Sequence, residues 1–193
     1  MRLPVLTILL LLPVTVFAQA LSVYGGNKWA RACFDNAELA ARDKDIVSRS
    51  MLESCDSALE HISLKPKDRA ATHANRGIIR AAGNNIDAAM EDYSRAMEIL
   101  PDSAEVHVNR GNAYFLGSDY AMALSDYERA IALGIRQLHI VHFNMGMAFE
   151  KLGNDRAAEV QFRSALELDP DWTLAESRLA RLLERRDRKE TEK

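Results

Sequence analysis

HANRG (His73–Gly77), HVNRG (His107–Gly111) and HFNMG (His142–Gly146) write one phrase three times along a chain of 193 residues. Three of the five histidines fall in it. The phrase is therefore either a set of spaced metal or catalytic ligands or the beat of a structural repeat, and the neighbouring columns decide between them. Gly77, Gly111 and Gly146 stand 34 and 35 residues apart. Ala89, Ala123 and Ala158 keep the same intervals, as do Tyr93, Tyr127 and Phe162, and Ala96, Ala130 and Ala165. Pro101 and Pro170 lie 69 apart, one interval of each kind. Four columns with one period mark a structural repeat.

Each column has a physical reason. A glycine inside a helix costs about 1 kcal/mol against alanine, so its recurrence needs a compensation, which the close approach of a neighbouring helix supplies. The alanines are small for the same reason, and the aromatic column fills the space that small residues open. The runs AAMEDYSRA (88–96), MALSDYERA (122–130) and AAEVQFRSA (157–165) share the pattern Ala-x-x-x-aromatic-x-x-Ala. With the small residue upstream and the closing proline, this resembles the tetratricopeptide repeat family from Ala70 to about Trp172. The resemblance implies pairs of antiparallel helices stacked into a solenoid. Departures are the replacement of the middle unit's proline by Ile135, one inserted residue there, and Gly83 and Gly117 falling one place before the turn position of Gly153, which is expected to loosen those turns. Asp102 with Glu105 three residues on reads as an N-cap and its capping-box partner.

The flanks complete the plan. Residues 26–63 read as a degenerate hairpin, and Ala175, Leu179, Leu182 and Leu183 lie on one face of a capping helix whose other face and tail are charged. The first twenty residues, MRLPVLTILLLLPVTVFAQA, have an early arginine, an apolar run and an Ala-x-Ala ending, the form of a secretory leader cut after Ala20. The run is shorter than the roughly 20 residues of a spanning helix, so no membrane insertion is expected after cleavage, and export points to the periplasm or outside. In an oxidising compartment Cys33 and Cys55, the only two cysteines, are most simply one disulfide. They lie equidistant from a polar break at Arg42–Asp45.

The expected fold is all-α, a right-handed α-solenoid of antiparallel helix pairs. Its parts are a leader at 1–20, a hairpin at 21–66, three repeats across 67–171 (70–103, 104–138 and 139–172), and a cap with tail at 172–193. A formal charge of −3 gives no electrostatic case for nucleic acid.

Of the candidate sites, the histidines are the weakest. His73, His107 and His142 occupy one repeat position, and helices pack 8–10 Å apart, whereas two ligands must both lie within about 2.1 Å of one zinc. They read as packing residues where the family usually has a large aromatic, and no metal or cofactor is expected. Arg76 and Asp92, and Arg110 and Asp126, share an offset of 16 residues, and in the third unit both members change together, to Met145 and Gln161. Intra-repeat salt bridges follow, against the alternative of independent surface choices. No nucleophile elbow, phosphate loop or paired acidic motif is present, so the chain does not read as an enzyme.

The concave surface remains. The resemblance implies a groove lined by the first helices, here Asn75, Ile78, Val108, Asn109, Asn112, Phe115, Ile140, Phe143, Asn144 and Met147. Asn75, Asn109 and Asn144 form a ladder able to bond a peptide backbone, beside apolar residues that either line the groove or pack under the terminal hairpin and cap. Where chaperone-binding members carry basic residues for a C-terminal carboxylate, this chain has Ala74, Ile78, Ile140 and Asn144, so that clamp is absent. The expected function is a non-enzymatic adaptor of the cell envelope that binds a protein or peptide, with a self-associating structural subunit as the alternative. The oligomeric state, monomer or homo-oligomer, is open on sequence grounds.

Overall fold

The computed structural model describes residues 18–23 and 26–191, so most of the expected leader, residues 1–17, lies outside the described residues. The helices are α1 (Lys28–Arg42), α2 (Arg49–Glu60), α3 (Pro66–Ala82), α4 (Ile86–Ile99), α5 (Ala104–Leu116), α6 (Tyr120–Ala132), α7 (Leu138–Lys151), α8 (Asp155–Leu168) and α9 (Thr173–Thr191). Among the described residues there is no strand. The fold is an all-α solenoid in which α3 packs on α4, α5 on α6 and α7 on α8, and each pair then packs on the next.

Local chemistry sets the ends of these elements. Asn85, Asp119 and Asn154 each cap the second helix of a repeat, their side-chain oxygens accepting from the amides of Ala88, Met122 and Ala157. Pro66 opens α3, where its missing N–H is not needed. One expectation is corrected at α5: the cap is Ser103, whose hydroxyl accepts from Val106 N–H and donates to Glu105. Asp102 instead pairs with Arg129 at 3.0 Å. The hydroxyl one residue later sits within reach of the first free amides, and the carboxylate does not.

The glycine column explains the tight pairing. A Cβ built on Gly77 would lie 2.7 Å from the Tyr93 ring, on Gly111 2.7 Å from Tyr127, and on Gly146 2.6 Å from Phe162. Each aromatic ring thus packs directly against the glycine of the facing helix, and all three are buried. The turns are not loosened by the shifted glycines. The left-handed position of each turn is held by Asn84 (φ 61), Ser118 (φ 67) and Gly153 (φ +75), one per repeat. Gly83 and Gly117 end their helices with ordinary negative φ. Ile135, in the place of the missing proline, is buried in the core shared by α5–α9.

At the N-terminal end, Cys33 on α1 and Cys55 on α2 form a buried disulfide with Cα atoms 4.7 Å apart. The break between the helices is a short 3-10 turn at Lys44–Ile46, held by the Asp43 side chain accepting from Asp45 N–H. At the other end, Ala175, Leu179 and Leu182 of α9 are buried. Its charged side is less solvated than its sequence implies. Arg178 and Arg185 both reach Glu150 at the end of α7, Arg185 and Lys189 reach Asp155, and Arg186 reaches Glu159.

Candidate peptide groove

Two polar layers are built on the repeat, one inside each helix pair and one along the first helices of the pairs. The inner layer contains the Arg–Asp pairs. Arg76 Nε lies 3.0 Å from Asp92 Oδ2 and its Nη2 2.7 Å from Oδ1, a two-pronged contact, and Arg110 grips Asp126 in the same way at 2.8 and 2.7 Å. Arg80 joins Asp92 at 2.9 Å, and Arg76 also reaches Asp56 on α2, tying the N-terminal hairpin to the first repeat. The histidines belong to this layer. His73 Nδ1 lies 3.1 Å from Asp92, His107 Nδ1 3.0 Å from Asp126, and His142 Nδ1 2.7 Å from Gln161 Oε1. Since each partner oxygen accepts, Nδ1 carries the proton in all three.

Burial pushes the Asp92 carboxyl up. The hydrogen bonds from His73 and Arg76, with the charges of Arg76 and Arg80, outweigh it and hold the group below its ordinary value. Asp126 follows the same balance, with Arg110 and His107 outweighing burial. The joint change to Met145 and Gln161 now has a cause. A neutral amide keeps the histidine bond, while an arginine left there would have no carboxylate. Among the described residues no group of three or more His, Cys, Asp or Glu is placed to hold a metal ion.

The layer along the first helices holds the asparagines, and two of them grip backbone. Asn109 Oδ1 accepts from Gln19 N–H at 2.9 Å while its Nδ2 donates to Gln19 C=O at 2.7 Å. Asn75 repeats the pattern with Leu21, at 2.7 and 2.8 Å. Each carboxamide thus closes a ring with both backbone groups of a single residue. An extended chain allows this because the N–H and C=O of one residue point to the same side, and residues i and i+2 share that side. Asn75 and Asn109 are themselves buried, so neither bond competes freely with water. A cleft of about 840 Å³ lies alongside, bordered by the 18–22 segment, Arg42, Lys67, Glu105, Arg136 and Ile140.

The other residues expected in the groove have different placements. Asn112 accepts from Asn144 Nδ2 at 3.0 Å and from the Tyr127 hydroxyl at 2.8 Å, linking α5, α6 and α7. Ile78 packs with Cys33 and Ala37 beneath the N-terminal hairpin. Val108, Phe115 and Met147 are buried in the core of the later repeats. Phe143 lies against Phe162 and Trp172, with ring centroids 5.5 and 4.8 Å away, beneath the cap. Of the apolar set, Ile140 alone is partly exposed and borders the cleft.

The histidine bonds could have been found in the sequence, because His73–Asp92, His107–Asp126 and His142–Gln161 share an offset of 19. The Gln19 and Leu21 contacts cross 90 and 54 residues and leave no periodic trace. Among the described residues no helix is long and apolar enough to cross a membrane.

Comparison with known proteins agrees with this architecture. The TPR repeat model matches residues 77–117, and the Tetratricopeptide repeat model matches 104–133 and 140–171. No curated protein matches the chain. Among solved structures, the first TPR of Spaghetti (RPAP3), bound to the HSP90 peptide SRMEEVD, is similar at 25% identity and a TM-score of 0.57, over 61% of this chain and 95% of that one. The first TPR domain of human RPAP3 is similar at 26% identity and a TM-score of 0.59, over 65% of this chain and 98% of its own. TTC0263, a thermophilic TPR protein of Thermus thermophilus, has a TM-score of 0.64 at 18% identity, over 78% and 81%, and shares the fold. The repeated HxNxG phrase is therefore carried by helix pairs whose segments 77–133 and 140–171 match the tetratricopeptide repeat.

Proposed function

We propose that this protein is a non-enzymatic adaptor, exported to the periplasm or cell envelope, whose concave face binds an extended segment of a partner protein through Asn75 and Asn109. The observation that carries this reading is the double hydrogen bond each asparagine makes to one backbone residue. Such a contact reads main chain and leaves side chains to the flanking surfaces, the logic by which proteins accept extended peptides. The peptide seen on the first TPR of Spaghetti (RPAP3) gives precedent for peptide capture by this fold. Export is supported by the leader-like residues 1–20 and by the buried Cys33–Cys55 disulfide, which suits an oxidising compartment.

A photo-crosslinking residue placed at Ile140, at the edge of the cleft, tests the reading in intact cells. The expected product is a covalent adduct with an envelope protein that disappears when Asn75 and Asn109 are both changed to Ala. An adduct indifferent to those changes would refute it. Adducts made only with a second copy of the chain would favour the self-associating subunit.

A further inference from the structure

We infer that the N-terminal end of the solenoid, where Trp29 and Ile62 project beside Lys28 and Lys65, is a peripheral docking surface for an anionic lipid bilayer. The inference goes beyond the groove and uses none of its residues. All four side chains lie downstream of the expected cleavage after Ala20, so the exported chain keeps them.

Both apolar side chains are held out by their own backbone. Asn27 caps α1, its side chain accepting from Trp29 N–H and Ala30 N–H at 2.9 and 3.0 Å, which fixes Trp29 in the first turn. Ile62 sits in the turn between α2 and α3, and Arg69 pins that turn by donating to Leu59 C=O and His61 C=O, both at 2.8 Å. Ile62 is 98% exposed and Trp29 39%, an apolar cost in water that a pinned turn cannot relieve by folding inward. Trp29 and the two neighbours of Ile62, His61 and Ser63, border one cleft of about 690 Å³. Lys28 and Lys65 border the same cleft and are exposed, whereas its acidic member, Asp68, is buried. The Lys28 ammonium stands 4.8 Å from the centre of the Trp29 ring.

This chemistry fits a bilayer better than a protein. A protein partner needs matched shape over roughly 800 Å² on each side, and two separate apolar points around a polar cleft do not supply it. A fluid headgroup layer needs no matched shape. An indole settles at headgroup level, and lysines beside it extend to the phosphates while their stems stay on apolar surface. Anionic headgroups add an attraction for each lysine near the surface. The contact is with one leaflet and needs no spanning helix.

The test uses the exported chain, purified after leader removal, in sedimentation with vesicles of phosphatidylglycerol and phosphatidylcholine or of phosphatidylcholine alone. The chain should partition onto the anionic vesicles at least about tenfold better than onto the neutral ones. Ile62→Ser, at a fully exposed turn position, should weaken that partition about tenfold, and Lys28→Gln with Lys65→Gln by a similar factor. In Trp172→Phe, which leaves Trp29 as the only indole, the emission should shift to the blue on anionic vesicles. Equal partition onto both vesicle types would overturn the inference, as would a partition that Ile62→Ser and the lysine pair leave unchanged. An unmoved Trp29 emission would do the same. A crosslinker at position 62 that captures an envelope protein, with no vesicle binding, would reassign the surface to a protein partner and overturn the lipid assignment. No peptide is present in these assays, so their failure leaves the reading of the groove standing.

Discussion

Changing Arg110 to Met and Asp126 to Gln would rewrite the second repeat's ion pair as the third repeat's Met145 and Gln161. The structure gives the two single changes different costs. Arg110→Met strands a carboxylate that is only 6% exposed, with His107 as its remaining side-chain partner. Breaking a buried pair in this way costs about 3–5 kcal/mol, and because His107 still donates, a loss of about 3 kcal/mol is expected. Asp126→Gln strands Arg110, whose side chain is 23% exposed and keeps access to water, so about 1–2 kcal/mol is expected. The double change removes both charges together, and Gln at 126 can accept from His107 as Gln161 accepts from His142 at 2.7 Å. Replacing a buried pair as a unit is often neutral, so the double variant should lie within about 1 kcal/mol of the unaltered protein. The expected coupling is then about 3–5 kcal/mol. Urea unfolding of all four proteins at pH 7, followed by helical circular dichroism, measures it. Additive single effects, with a coupling below about 0.5 kcal/mol, would refute the account of the paired substitution.

Acid should find the same network. The folded-state values of Asp92 and Asp126 lie below the ordinary carboxylate value, so their stabilisation is present above roughly pH 4 and is lost as pH falls through the lowered values. The urea midpoint should drop below that pH, less steeply in the double variant, and a flat midpoint down to about pH 2.5 would contradict the assignment. Reducing Cys33–Cys55, which closes a separation of 22 residues, should cost the N-terminal hairpin about 3 kcal/mol. Hydrogen exchange should speed up in α1 and α2 while α5–α9 stay protected. Ser118→Gly, at φ 67, should stabilise by about 0.5–1 kcal/mol in thermal unfolding, since a left-handed serine carries steric strain that glycine lacks. Asn84→Gly at φ 61 should gain less, because asparagine tolerates that conformation.

The parts of the fold that could be read in the sequence are those whose contacts recur at a fixed offset. Gly77 against Tyr93, Gly111 against Tyr127 and Gly146 against Phe162 are each 16 residues apart, so one contact is written three times. Arg76–Asp92 and Arg110–Asp126 use that same offset. The histidine bonds use another and are equally readable, but an imidazole reads as a packing residue until its partner column is considered. The groove is harder to read. Helical spacing places Ile78, Phe143 and Asn144 on the inner side of their helices, but it does not tell an open surface from one covered by the next element. Phe143 is covered by Trp172 and Ile78 by the disulfide-linked hairpin. The capping serine at 103 escapes a sequence reading because Asp102, one residue earlier, is an equally good capping residue type.

The amide rings at Asn109 and Asn75 also set a pitch. Moving from the second repeat to the first advances the bound backbone from Gln19 to Leu21, two residues for each helix pair. A strand that slid along the groove by two residues would meet both rings again with its polar edge correctly turned. A slide of one residue would present the opposite edge and lose every bond. If the proposed groove holds a partner's strand, the repeat would count it in dipeptides, and a segment long enough to overhang both ends would have several equivalent registers.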